Sequence, residues 1–234
     1  MHAIRPRFRA LVAVAALLLA FAAALVASSR AAAAEPVLGT DYFKIDTPAP
    51  VSGAKVQVVE VFGHGCPICA RFQPYLVAWE KKLPADVAFS YLPAAFGPDP
   101  EHCWDDFARA FFAAQIMGIE AKSHDGIYKA KFEQGRIETC AAIPAAYADY
   151  GPDPTVFAST MNSFPVNARM VADHDQVLRW GVDGTPTMVV DGTWRAVMTR
   201  GGGPEGLLRT VDWLIAKQRR LHTAAPAHPT HRKR

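Results

Sequence analysis

Of the four cysteines in this 234-residue chain, Cys66 and Cys69 are separated only by Pro67 and Ile68. Two thiols at that spacing can exchange disulfides, form a structural short-loop bridge, or supply half of a zinc site. Zinc needs further ligands at short spacing, whereas Cys103 and Cys140 are single and there is no second C-x-x-C. No metal and no organic cofactor are indicated. Position favours redox chemistry over a structural bridge, because the pair follows a strand-like run and opens a helix-like one. Free N–H groups and the positive end of the helix dipole favour an anion at a helix start. A thiolate is such an anion, so the thiol pKa falls and Cys66 can attack or leave near neutral pH. Cys69, about one turn deeper, is placed to resolve a mixed disulfide. This reading makes Cys66 the exposed sulfur and Cys69 the shielded one.

The elements that hold the pair are legible around it. Lys55–Phe62 is rich in β-branched residues and reads as a strand, broken by Gly63-His64-Gly65. A helix is expected from Cys66 to about Lys82, with Phe72, Leu76, Trp79 and Leu83 in one apolar stripe and Pro74 as a kink. Val87–Leu92 reads as a second core strand, and Tyr42–Ile45 as a short edge strand. From about Glu101 to Ala172 the pattern turns helical, with helices expected near Trp104–Gly118, Ile127–Gln134, Cys140–Ala148, Pro154–Ser163 and Val166–Trp180. Strands return at Thr187–Val190 and Thr193–Val197, joined by Asp191-Gly192, a strong hairpin signal. Glu205–Arg220 closes as an amphipathic helix with Leu207, Leu208, Val211, Leu214 and Ile215 inward. The result is one α/β unit with a helical block inserted into it.

Composition sets the compartment. Residues 1–34 run from a basic start with Arg5, Arg7 and Arg9 through an apolar stretch, Ala10–Val26, to small residues. That order is the layout of a secretory signal peptide, with cleavage expected after Ala34. The apolar run is short for an uncleaved membrane anchor. The segment holds four of the 25 basic residues and none of the 22 acidic ones, so the remainder is close to neutral and nothing implies nucleic acid. Residues 222–234 read as a disordered tail. Export permits disulfides. Pairing Cys103 with Cys140 is the simplest reading of the other two cysteines, and two free thiols are the alternative.

The segment Val59-Glu60-Val61-Phe62-Gly63-His64-Gly65-Cys66-Pro67-Ile68-Cys69, together with Phe72-Gln73-Pro74, Asn162-Ser163-Phe164 and Gly181–Gly192, resembles the DsbA-like family of periplasmic thiol:disulfide oxidoreductases. The likeness covers about Tyr42 to Arg220. It implies a thioredoxin-like fold with an inserted all-helical domain: 35–100 as the first part of the thioredoxin-like domain, 101–172 as the insertion and 173–221 as the second part. It also implies a cis peptide bond before Pro186, facing the cysteine pair, which leaves the Thr185 backbone free to pair with an extended substrate. The family has a buried acid where Glu60 stands. Alternation along the strand puts Glu60 on one face with Val58 and Phe62, both apolar, which also points it inward. A buried carboxyl with a raised pKa could relay a proton for Cys69. One departure is Ile68, where many members carry His; His64 is either a partial substitute or a bystander.

The implied function is oxidation of cysteine pairs in newly exported, unfolded proteins, with reoxidation by a membrane quinone-linked oxidase of the DsbB type. A disulfide reductase or isomerase is the alternative within the class. Isomerases of this fold usually carry a dimerisation domain before the thioredoxin unit, for which Glu35–Gly53 is too short. A peptide-binding chaperone with incidental thiols is the alternative outside it.

Overall fold

A computed structural model describes residues 35–46, 48 and 55–224. The expected signal peptide with its cleavage after Ala34, and the tail beyond Ala224, lie outside the described residues.

The chain folds in the order β1 (Tyr42–Lys44), β2 (Val56–Phe62), α1 (Pro67–Glu80), β3 (Val87–Pro93), α2 (Trp104–Ile116), α3 (Glu120–Phe132), α4 (Ile143–Tyr147), α5 (Pro154–Met161), α6 (Phe164–Arg179), β4 (Thr187–Val190), β5 (Trp194–Val197) and α7 (Gly203–Ala224). The strands form one sheet in the order β1-β5-β4-β2-β3. β2 and β3 run parallel, linked by the α1 crossover. β4 pairs antiparallel with β2, and β1 and β5 extend the sheet antiparallel. Asp191 and Gly192 both take positive φ in the β4–β5 turn, where the Thr193 N–H donates to the Val190 carbonyl. An Asp-Gly pair supplies that backbone at low cost.

Burial follows the pattern of the sequence. On β2, Val56, Val58, Glu60 and Phe62 are buried on one face. Phe72 and Leu76 of α1 join Val58, Met188 and Val190 of the sheet and Leu207, Val211 and Leu214 of α7 in one core. A second core on Val61 and Val189 holds Val177 and Val182. The insertion has its own core of Phe107, Phe111, Ile127, Tyr147 and Phe157, and this core is continuous with Phe62, Cys66 and Cys69.

Two expectations shift. α3 begins at Glu120, seven residues before its expected start, because Gly118 with φ 68° ends the preceding turn and the new helix starts at once. α6 runs unbroken from Phe164 to Arg179, close to the helix expected over Val166–Trp180. Its first half packs in the insertion through Val166 and Met170, and its second half packs on the sheet through Val177. α7 continues to Ala224, into the segment read as tail. Pro74 sits inside α1 without ending it.

Candidate active site

β2 ends at Phe62, and Gly63-His64-Gly65 carries the chain round to Cys66, the N-cap of α1. A side chain at Gly65 has no room: a Cβ there would lie 1.8 Å from the His102 carbonyl oxygen. The loop before α2 therefore lies directly on the loop before the cysteines. Pro67 opens the helix, where its missing N–H costs nothing.

Cys66 and Cys69 are free thiols. The Cys69 N–H donates to Cys66 Sγ at 3.2 Å, and the Cys66 thiol donates to the Thr185 carbonyl at 3.5 Å. The Thr185–Pro186 bond is cis. The hydrogen bond from the Cys69 thiol is the largest influence on Cys66; the Thr185 side chain and the N–H groups of Cys69 and Ile68 act in the same direction. Against the opposing effect of burial they bring the Cys66 pKa down to about 6. Cys69 goes the other way, held well above the usual thiol range by burial, by its bond to Cys66 and by the charges of Cys66 and Glu60. The two thiols are thus driven apart in acidity, which fits one for attack and the other for holding a proton.

Cys66 is 5 % exposed and Cys69 0 %, so both residues are buried, Cys69 the more deeply. The contrast in acidity between them is the larger one. The insertion covers them: both belong to its apolar core.

Glu60 is 0 % exposed and neither carboxyl oxygen has a hydrogen-bond partner among the described residues. Burial, then the charges of Cys66 and Glu80, push its pKa well above the carboxylate range. The His64 ring packs against Phe62 of β2 and against Phe107 and Tyr128 of the insertion. Ile68 is 43 % exposed. It lines a groove of about 550 Å³ with Phe43, Thr185, Pro186, Val197 and Met198, and Arg195 and Arg200 stand on its walls. Cys103 and Cys140 form a disulfide with Cα atoms 5.5 Å apart. Among the described residues no group of His, Cys, Asp and Glu is placed to hold a metal ion.

The model of the DSBA-like thioredoxin domain matches residues 57–205. The chain belongs to that family. Thiol:disulfide interchange protein DsbA of Pseudomonas aeruginosa is 38 % identical over 186 residues, covering 77 % of this chain and 85 % of that protein. The protein of the same name from Pseudomonas syringae pv. tomato is 36 % identical over 214 residues, covering 88 % and 98 %. Among solved structures, the oxidoreductase DsbA from Xylella fastidiosa superposes with a TM-score of 0.73 at 35 % identity, covering 80 % of this chain and all of that one. Membership makes this chain a thiol:disulfide oxidoreductase of thioredoxin-like fold.

The sequence reading missed the side chains beneath the pair. Tyr91, His124 and Tyr128 surround Phe62 and His64. A signal for two of them was present: His124, Ile127 and Tyr128 are spaced by three and one, which is one helical face once the helix starts before residue 124.

Proposed function

We propose that the protein introduces disulfides into newly exported, unfolded proteins in the periplasm, with Cys66 as the exchanging sulfur and Cys69 as its buried partner. The observation that carries this reading is the split in acidity across one helix turn, with Cys66 at about 6 and Cys69 far above. A substrate thiolate attacks Cys66 Sγ of the oxidised pair. The Cys66–Cys69 bond breaks, and its electron pair leaves on Cys69 Sγ, which takes up a proton. The substrate's second thiolate then attacks the substrate sulfur of the mixed disulfide and expels Cys66 as a thiolate. Two electrons have passed from the substrate dithiol to the pair. A thiolate stabilised at Cys66 makes a good leaving group and favours the reduced state of the protein, which is what an oxidant needs.

Glu60 is the group that gives a proton to Cys69 and takes it back. The groove beside Thr185 and Pro186 receives an extended substrate segment, with Ile68 and Met198 offering apolar contact. Its backbone pairs with Thr185. The Cys103–Cys140 bridge is structural, holding the start of α2 against the loop that precedes α4. A membrane quinone-linked oxidase of the DsbB type returns the pair to the disulfide. Export by a signal peptide ending at Ala34 supports this compartment, and no helix among the described residues is long and apolar enough to cross a membrane.

The test uses a reduced, unfolded two-cysteine polypeptide and the oxidised protein in equal amounts. Stoichiometric disulfide transfer by the protein and none by Cys66→Ser is expected. A protein that leaves the thiols reduced, or a Cys66→Ser variant as active as the parent, would sink the reading. Glu60→Gln is expected to retain the fold and slow the turnover of Cys69.

A further inference from the structure

The groove beside Thr185 and Pro186 carries charges that the exchange steps leave unused. Side chains alternate along β5, so Arg195 and Val197 share one face of the strand. Val197 pairs with Thr187, the residue after Pro186. Arg195 lies opposite Val189 of β4 and Phe43 of β1. One face of β5 thus leads from the proline loop to Arg195. Arg195, Arg200 and Asp183 all line the groove. Two guanidinium groups face one carboxylate there, and the lining holds no other side chain charged at neutral pH.

Arg195 is held in place with its hydrogen-bonding capacity unspent. Its guanidinium carbon sits 4.5 Å from the centre of the Phe43 ring. Stacking of that kind uses the face of the guanidinium and leaves the N–H groups at its edge for an acceptor. Asp183 is its ion-pair partner, but Nη1 and Oδ1 are 3.8 Å apart, beyond hydrogen-bond reach. The Asp183 side chain is 86 % exposed and that of Arg195 19 %, so water weakens this pair from the acid's side. Arg200 is exposed at the same groove.

We propose that Arg195 and Arg200 make the groove select extended substrate segments that carry a glutamate or aspartate close to the reacting cysteine, with Arg195 taking the carboxylate. The inference rests on the disulfide-exchange reading above and adds a substrate class to it. A guanidinium fork matches a carboxylate with two parallel hydrogen bonds. The Phe43 ring has already fixed this fork, so little side-chain freedom is lost when a carboxylate binds. Ile68, Pro186, Val197 and Met198 offer apolar contact to any uncharged side chain. Charge is therefore what discriminates: an acid meets a waiting partner, whereas a lysine in the same place meets like charge. Complementarity of this kind acts on the rate of encounter and on the choice of partner. Arg195 determines specificity and takes no part in the sulfur chemistry.

The test gives the oxidised protein a set of unfolded two-cysteine peptides of one length. Glutamate, glutamine or lysine is placed in turn at each position flanking the first cysteine. Acid quenching and mass spectrometry follow peptide oxidation. A neighbouring charge also alters the peptide's own thiol, so the quantity read is the Glu-to-Lys rate ratio of the parent divided by that of a variant. At one or two positions this ratio is expected to fall on the order of tenfold in Arg195→Gln, to fall less in Arg200→Gln, and to fall furthest in Arg195→Glu. Salt at about 0.5 M is expected to shrink the parent's preference. Arg200→Gln alters an exposed side chain and keeps the test open should the Arg195 variants fail to fold. Equal ratios in the parent and the folded variants at every position would overturn the inference. Equal slowing of all peptides leaves the ratio unchanged and counts against it in the same way. A fall of one size at every position would also overturn it, because that is general attraction and not a held carboxylate. If the parent oxidises none of the peptides, the exchange function falls and the inference with it.

Discussion

The Cys66 thiol points at the Thr185 carbonyl, 3.5 Å away across the gap between α1 and the loop that leads into β4. The nucleophile and the strand edge offered to a substrate are thus neighbours, although 119 residues separate them in the chain. A segment paired along Thr185 and Pro186 would therefore lie beside Cys66.

The acidity of Cys66 sets how the reduced protein responds to pH. Its folded-state pKa of about 6 lies below the ordinary value of 9.0. The stabilisation from its thiolate is therefore complete above about 9 and is lost as pH falls towards 6. The oxidised protein has no such titration. The stability of the reduced protein relative to the oxidised one is expected to rise between those limits by at most about 1.4 kcal/mol per pH unit. Urea unfolding of both forms at intervals across that range checks this. A constant difference would show that Cys66 titrates alike in the folded and unfolded chains.

Asp173 carries the opposite sign. It is buried on α6, its oxygens lack partners among the described residues, and burial pushes its pKa up to about 8. The folded state holds this proton more tightly than the unfolded chain, so folding loses stability as pH rises from about 4 to 8. Asp173→Asn is expected to match the parent at acidic pH and to exceed it increasingly towards pH 8, by up to about 1.4 kcal/mol per unit. Parallel stability curves for the two proteins would contradict this.

The sequence made the frame legible where pattern and chemistry agree. Val56–Phe62, the Asp191-Gly192 turn and the inward face of Glu205–Arg220 were each specified by local signals, and the family motifs joined them. The cover over Cys66 was hidden, because it depends on how the insertion folds back, and Gly65 with its missing Cβ is only a glycine until His102 is placed above it. Asp173 and His124 escaped notice because a polar residue in an apolar stripe reads as a break in the stripe. In α6, Val166, Met170, Asp173 and Val177 in fact share one buried face.

The Cys103–Cys140 bridge closes a separation of 37 residues and holds a buried Cys103 next to the His102 carbonyl that rests over Gly65. Its loss is expected to cost about 3–4 kcal/mol on the chain-entropy model. Mild dithiothreitol should reduce the Cys66–Cys69 pair first and leave this bridge intact. Peptide mapping at increasing reductant gives the order. Simultaneous opening would mean that the bridge is as labile as the active pair.

Ile68 is where the redox potential is open to adjustment. Its backbone N–H already helps to hold the Cys66 thiolate, whereas its side chain brings neither a donor nor a charge. The side chain is 43 % exposed and lies on the groove wall, so the core does not depend on it. A histidine there adds an N–H within reach of the sulfur and, when protonated, a positive charge. Either stabilises the thiolate, and whatever stabilises the thiolate makes the disulfide form a stronger oxidant. Each unit of fall in the Cys66 pKa is worth about 1.4 kcal/mol. That equals roughly 30 mV for a two-electron couple. Ile68→His is therefore expected to lower the Cys66 pKa below about 6, to raise the potential, and to leave thermal stability of the oxidised form unchanged. Thiolate absorbance against pH and equilibration with a glutathione buffer measure the first two. A pKa that stays in place would mean that the Cys69 thiol and the backbone donors already saturate Cys66 Sγ, and that the residue between the cysteines serves the groove and not the sulfur.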